Sequence, residues 1–470
     1  MLHPAALLTA EESRAVEKAS GIATEKLMEN AARAVVDLIV QQEPCPVLVV
    51  CGGGNNGGDG FIVASLLKAQ GWPVHIAVTE ASAVQEHAAL FTPALLTGKK
   101  LVIDAIFGTG LNRDVEGLAK QAIDAINASK LPVVSMDIAS GIHADSGAVM
   151  GAAIRAAQTV TFVRPKPGHV LLPGKIHSGD ELHVADIGIT GDGIIPSQFL
   201  NLPSLWKSAF PIPTLDSHKY KRGHALVIGG SASTTGATRL AAMAALRTGA
   251  GLVSVACGKE ALPIYAASLT AVMTKPVNKL SELNILLEDK RITATLIGPG
   301  CGVIEATREQ VLHILSHKKA TVIDADAISI FENDGKKLFA AIAGPTVLTP
   351  HEGEFERLFN LKGSKTERAK EAAKQCNAVI VLKGSDTVIA APDGRVSINA
   401  NAPPWLATAG TGDILAGIIT GLLAQGMPAY EAACAGVWMQ GEAARLFGPG
   451  LIAEDLPGML PVVLKELYRA

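Results

Sequence analysis

The chain has 470 residues, of which 41 are basic and 44 acidic, and it is 48% hydrophobic but only 18% charged. That length exceeds what one hydrophobic core usually serves, so two domains are expected, and so apolar a composition excludes a disordered chain. A formal net charge of −3 gives no electrostatic footprint for a nucleic acid or a membrane surface.

The N-terminal stretch "MLHPAALLTAEESRAVEKAS" has no basic leader and turns acidic early, so it is not read as a signal peptide. From Thr9 to Gln42 the apolar spacing is helical throughout. Strand-like runs follow at 46–52, 73–79, 100–108, 131–141, 156–165 and 179–189, with helices such as "GFIVASLLKAQG" and "GLAKQAIDAINAS" between several of them. Continuous apolar strands interleaved with helices predict an α/β fold whose parallel sheet is covered on both faces. Around 196–217, four prolines and lost periodicity mark an interdomain connection. A second alternation begins at "HALVIGG" (224–230) and runs through 252–258, 294–300, 320–327, 345–354 and 378–392 to "GTGDILAGIITGLLAQG" (410–426). The expected division is one domain over 1–206, a linker over 207–217 and a second domain over 218–470, with no internal repeat between the halves. The uncharged run Ile414–Tyr430 is broken by glycines and Pro428 and makes a poor membrane span. The cysteines Cys45, Cys51, Cys257, Cys301, Cys376 and Cys434 form no CxxC pair, so they read as thiols of a reducing compartment and not as zinc ligands. A soluble cytoplasmic enzyme is the expectation.

"VVCGGGNNGGDG" packs six glycines into the ten residues from Cys51 to Gly60. So much glycine is costly to order, which implies that something approaches the backbone closely. A strand that ends in such a turn and enters a helix offers free N–H groups at the positive end of the helix dipole, where phosphates bind. The spacing is neither GxGxxG nor a Walker A motif, and a plain βα turn is the bland alternative. Two more strand ends bear on the choice. "IDAIFGTGLNRD" puts Asp104 at a strand end before the turn Gly108–Asp114, and "MDIASG" puts Asp137 and Ser140 at the next. In an open parallel sheet the carboxyl ends of strands converge on the ligand crevice. Asn55, Asn56, Asp59, Asp104, Asp137 and Ser140 supply almost only oxygens, which suits a hard cation.

In the second half, "TAGTGD" lets Gly410 and Gly412 wrap an anion at a helix start, with Asp413 in the first turn. An aspartate there stays ionised and can take a proton from a hydroxyl that attacks phosphorus. "KGSDT" places Lys383 and the backbone after it to hold nucleotide phosphates. The bland readings are an N-cap for Asp413 and a satisfied loop histidine for His351.

"GGGNNGGDG", "DAIFGTGLNRD" and "DIASG" together resemble the NAD(P)H-hydrate epimerase domain. The resemblance implies a Rossmann-like sheet and a dinucleotide held by Asn55, Asn56, Gly57, Gly58 and Asp59 together with Gly108, Thr109, Gly110, Leu111, Asn112, Arg113 and Asp114. It further implies K+ on Asn56, Asp104 and Ser140, with Asp137 against the reacting ring. Ala139 stands where that family usually has proline. From residue 218 onward, "GHALVIGGSASTTGATRLAAMAALRTGAGLVSVA", "IGPG", "DADA", "LTPHEGEFERL", "KGSDT" and "AGTGD" occur in the order of the ADP-dependent NAD(P)H-hydrate dehydratases, which have a ribokinase-like fold. By that resemblance Ala237, Gly300, His351 and Asp413 contact the hydrate. Lys383, Gly384, Ser385, Asp386, Thr387 and Gly412 contact the adenine nucleotide, and "DADA" (324–327) places Mg2+ through water. The expected substrates are the hydrates of NADH and NADPH (NADHX and NADPHX) and ADP, with no nucleic acid and no membrane. A homo-oligomer, tetramer or larger, would pack through small-residue helices such as 236–251. Two rivals differ in class: a ribokinase-like kinase of a small alcohol, and a silent nucleotide-binding scaffold.

Overall fold

In the computed structural model, which describes residues 2–84 and 87–469, the chain divides into two compact units, Met1–Leu200 and Asn201–Ala470. The boundary falls earlier than the proline-rich stretch suggested. Trp206 and Phe210 already belong to the second unit's core, and Trp206 Nε1 donates to Asn201 Oδ1 at 3.2 Å. Asn201 in turn donates to Asn399 Oδ1 and to the Cys434 carbonyl. Residues read as linker are thus structural ballast for the C-terminal unit.

Among the described residues, nine strands belong to the first unit: β1 (Ala6–Leu7), β2 (Val47–Cys51), β3 (Val74–Val78), β4 (Ala88–Leu90), β5 (Leu101–Ala105), β6 (Val133–Met136), β7 (Gln158–Phe162), β8 (Glu181–Ala185) and β9 (Gln198–Leu200). Seven form a wholly parallel sheet ordered β4-β3-β2-β5-β6-β7-β8, and β1 pairs antiparallel with β9. The period-2 alternation of β2 shows why both faces need cover. Val47, Val49 and Cys51 join one cluster with the helices Thr24–Ile39 and Asn55–Ala69. Leu48 and Val50 join another with the helix Gly117–Ser129. The result is a three-layer sandwich. The leading segment is two helices, Ala10–Ala19 and Thr24–Ile39, because Gly21 adopts a φ of +67° between them.

The second unit carries β10 (His224–Ile228), β11 (Leu252–Cys257), β12 (Met273–Pro276), β13 (Ala294–Ile297), β14 (Ala320–Ile323), β15 (Thr346–Leu348), β16 (Val379–Leu382), β17 (Val388–Ala390) and β18 (Val396–Ile398). Their order is β18-β17-β16-β15-β14-β13-β10-β11-β12, parallel except for the antiparallel meander β16-β17-β18. The helix Thr411–Ala424 is buried on every side from Ile414 onward, as expected of a helix apolar all round. A Cβ on Gly417 would stand 2.2 Å from the Ala241 carbonyl, so glycine lets this helix lie directly on Thr235–Arg247. Gly421 meets Ala245 in the same way, and Ala241, Ala242, Ala244 and Ala245 are all fully buried within the unit. The expectation that this small-residue face packs across subunits is therefore corrected. Among the described residues no helix is long and apolar enough to cross a membrane.

Candidate active sites

At the carboxyl ends of β2, β5 and β6 the first unit opens into a cavity of about 860 Å³. Its wall includes Asn55, Asn56, Asp59, the loop Gly108–Arg113, and Asp137. Gly57 sits behind this wall. A Cβ there would lie 2.0 Å from the Gly52 carbonyl oxygen, so only glycine closes the turn. Gly58 backs onto Met28, and Asp114 is exposed beside Gly151.

Asp137 ends β6 with a φ of +63°, a left-handed conformation that turns its carboxylate out of the strand. The Thr109 N–H donates to its Oδ2 at 3.1 Å, and Lys166 Nζ stands 2.7 Å from its Oδ1. Burial alone would raise the Asp137 carboxyl, but the Lys166 ammonium outweighs it and holds the group below the usual carboxylate range. The Lys166 N–H donates to His169 Nδ1, so the other ring nitrogen carries the proton and donates to the Asp137 carbonyl at 2.9 Å. Burial and the nearby ammonium push the His169 ring down to about 4, which keeps it neutral. Asp59 behaves oppositely. Burial, with Asp137 and Glu17 nearby, pushes it up to about 7. Sequence reasoning missed Lys166, His169 and Glu17. Lys166 had a signal in "RPKPG" directly after a strand, but a lone lysine ordinarily reads as a solvated side chain.

Asp104, at the end of β5, is fully buried and does not reach the cavity wall. Its Oδ1 accepts from Ser140 Oγ at 2.5 Å and from the Ile106 N–H at 3.3 Å. Its Oδ2 accepts from Ser135 Oγ at 2.7 Å and from the Ser140 N–H at 2.9 Å. Burial raises its carboxyl against these four bonds. Asn56 Nδ2 donates to the Met136 carbonyl at 3.4 Å. Asn56 and Asp137 both flank Gly108, 3.4 and 3.1 Å from where its Cβ would be.

In the second unit the chemistry gathers where Thr411–Ala424 begins. Gly410, at φ +86°, turns the chain into the helix, and Asp413 lies in the first turn. Lys383, at the end of β16, pairs with Asp324 Oδ1 at 2.9 Å and lies 3.9 Å from Glu354 Oε2. Thr349 Oγ1 donates to the same Asp324 oxygen at 2.7 Å. Burial lowers the Lys383 ammonium, but Asp324 and Glu354 raise it further, so it stays charged. Burial and the Asp324 charge push Asp413 up to about 6, with Lys383 pulling the other way. Lys383 Nζ also stands 3.5 Å from where a Gly412 Cβ would be. KGSDT and GTGD are thus brought together.

The remaining residues lie around this centre. His351 caps Glu352–Leu358, its Nδ1 accepting from the Glu354 N–H, while its side chain is largely exposed. Gly300, at φ +72°, offers its carbonyl to Thr234 Oγ1 at 2.7 Å, beside the helix that carries Ala237. Gly384 and Thr387 bond one another across the loop, Ser385 is exposed, and Asp386 pairs with Lys365 at 2.6 Å. Glu354 was the missed member. Its signal was the capping-box spacing in "HEGE", which fixes the helix start and aims the glutamate inward.

Comparisons with known proteins bear on both halves. A family profile described as NAD(P)H-hydrate dehydratase matches residues 225–464. One described as YjeF-related protein N-terminus matches 24–92 and 75–168. A bifunctional NAD(P)H-hydrate repair enzyme of Moorella thermoacetica is 38% identical over 94% of this chain and 92% of its own. The chain belongs to the bifunctional NAD(P)H-hydrate repair enzymes. The Escherichia coli member is 35% identical over 87% of this chain and 83% of its own. An ADP/ATP-dependent NAD(P)H-hydrate dehydratase of Bacillus subtilis, co-crystallized with ATP/Mg2+, covers 57% of this chain and 98% of its own. It has a TM-score of 0.51 and 30% identity.

Proposed function

We propose that the first unit interconverts the R and S hydrates of NADH and NADPH, and that the second returns the S hydrate to NADH or NADPH while converting ADP to AMP and phosphate. The observation that supports this most is Asp413. It is a half-buried carboxylate with a raised pKa, at the mouth of a helix and beside a charged lysine. Asp413 takes the proton from the ring hydroxyl as that oxygen attacks the β-phosphorus of ADP. Lys383 and the N–H groups at the start of Thr411–Ala424 stabilise the charge that builds on the transferred phosphoryl group. The ring nitrogen's electron pair then expels phosphate. Loss of a ring proton restores the dihydronicotinamide, so positioning matters more than a dedicated elimination base.

Asn55, Asn56, Gly57, Gly58, Asp59 and the loop Gly108–Asp114 hold the dinucleotide in the first unit, with Asp137 against the ring. Ala237, Gly300 and His351 hold the hydrate in the second, and Lys383–Thr387 with Gly412 hold ADP. The donor sets fit the implied cations. Asp104 is a fully buried carboxylate that accepts from two hydroxyls and two backbone N–H groups, and no basic side chain is paired with it among the described residues, so K+ on Asn56, Asp104 and Ser140 offsets its charge. Around Asp413 the carboxylates of Asp324, Asp326 and Glu354 outnumber Lys383. Among the described residues no group of three or more His, Cys, Asp or Glu is arranged as a metal cage. That suits Mg2+, which keeps its waters and is held by one or two carboxylates plus phosphates. When bound it neutralises phosphate charge.

The test is recovery of absorbance at 340 nm from a mixture of both hydrate epimers with purified protein, ADP, Mg2+ and K+. Full recovery with release of free phosphate supports the reading. A stable phosphorylated product would falsify it in favour of an ordinary kinase.

A further inference from the structure

Among the described residues, the wall of the N-terminal cavity holds four carboxylates, Glu17, Asp59, Glu80 and Asp137, and one buried ammonium, Lys166. Asp59, on the helix Asn55–Ala69, faces the cavity with Glu17, from the helix Ala10–Ala19, and with Asp137, from the end of β6. Lys166 cannot serve all of them. Its Nζ lies 2.7 Å from Asp137 Oδ1, 2.8 Å from Thr161 Oγ1 and 3.3 Å from the Phe162 carbonyl, which uses all three ammonium protons. Arg14 acts on Glu17 rather than on Asp59. Lys18, Glu80 and Arg113 complete the charged lining. Asp59 Oδ1 is buried and has no hydrogen-bond partner.

An unpaired buried oxygen beside two other acids is costly when ionised and inexpensive when protonated. The same cavity therefore holds one carboxyl kept charged by an ion pair and another whose surroundings make it hold its proton more tightly. That division is how a site separates its acid from its base.

We propose that Asp59 is the catalytic proton donor to the hydroxyl of the hydrated ring during epimerisation, an inference that rests on the epimerase reading above. The Asp59 proton moves to the hydroxyl oxygen and the carbon–oxygen bond breaks. The ring nitrogen's pair forms the carbon–nitrogen double bond, and water leaves. The resulting ring cation sits against the ionised Asp137 carboxylate. A water adding at the opposite face remakes the carbon–oxygen bond. Its surplus proton passes to Asp137 and returns to Asp59 through solvent. Burial near Glu17 and Asp137 places the Asp59 carboxyl at about 7, where donor and conjugate base are both populated at neutral pH.

The test measures epimerisation of pure R and pure S hydrate by the full-length protein, without ADP, from pH 5 to 9. The wild-type kcat is expected to fall tenfold per pH unit well above pH 7. Asp59→Asn is expected to lose about 100-fold in kcat with KM changed little, and to lose that alkaline limb. Asp59→Glu is expected to regain part of the rate with the limb displaced. A flat wild-type profile above pH 7 overturns the proposal even if Asp59→Asn fails to fold. So does an Asp59→Asn enzyme that keeps its rate, or one whose loss lies wholly in KM. Failure of the wild type to epimerise at any pH instead overturns the epimerase reading itself.

Discussion

Lys166 Nζ lies 2.7 Å from Asp137 Oδ1, and the lysine side chain is only 3% exposed. Replacing Lys166 by methionine keeps the bulk but strands a carboxylate next to Asp59 and Glu17. The Asp137 pKa then rises, because the charge that held it down is gone while burial and like charge remain. We expect Lys166→Met to slow epimerisation at pH 7 by about 100-fold, because a protonated Asp137 no longer sets a charge against the ring cation. Breaking the pair is also expected to cost about 3 kcal/mol in the stability of the N-terminal unit, read as a lower denaturant midpoint. A variant as active as wild type at pH 7 removes Asp137's need for its cation.

Two glycines in the same site separate backbone need from ligand contact. A methyl on Gly57 would meet the Gly52 carbonyl at 2.0 Å, whereas one on Gly110 would meet nothing within 4 Å. Overpacking costs about 1–3 kcal/mol when neighbours can shift, and here the neighbour is backbone. Gly57→Ala is expected to abolish epimerisation and lower the first unit's melting temperature. Gly110→Ala should fold as wild type and alter only KM. Equal melting temperatures for the two variants contradict the turn geometry.

The proposed K+ site at Asp104 predicts potassium dependence. Its four hydrogen bonds come from Ser140, Ser135 and Ile106, and none brings a full positive charge. Exchanging K+ for tetramethylammonium, which is too large for the buried site, is expected to slow epimerisation several-fold and leave the dehydratase unaffected. Ser140→Ala removes one donor oxygen and should raise the K+ concentration needed for half-maximal rate. An epimerase indifferent to the cation removes K+ from the site.

Much of this was legible before the fold was seen. The buried strands read correctly because both faces are covered, so their apolar runs are continuous. The strands Ala88–Leu90, Met273–Pro276 and Val396–Ile398 escaped notice because each is very short, and the first two are partly exposed. At the sites, residues at strand ends inside glycine turns could be picked out, since turn chemistry and ligand chemistry coincide there. Lys166, Glu354 and the cavity-facing Glu17 could not, because what surrounds them comes from elements distant in sequence. Nothing local separates them from surface charges. His351 shows the converse: its motif stood out, yet the ring caps its own helix.

At Asp413 function and stability oppose one another. Burial and Asp324 push its carboxyl up to about 6. For a group whose folded pKa lies above the unfolded value, the folded state holds its proton more tightly. The ionised form therefore costs stability, increasingly as pH climbs from about 4 to 6 and fully above that. Asp413→Asn relieves this cost and should raise the second unit's melting temperature at pH 8 but not at pH 4. The same change removes the group proposed to accept the hydroxyl proton, so recovery of NADH from either epimer should fall by at least about 100-fold. In the wild type, dehydration should fade as pH drops through 6, because a protonated Asp413 cannot act as base. A variant that gains stability and keeps its rate would show that this carboxylate is ballast at a helix start, and that proton removal belongs to another group.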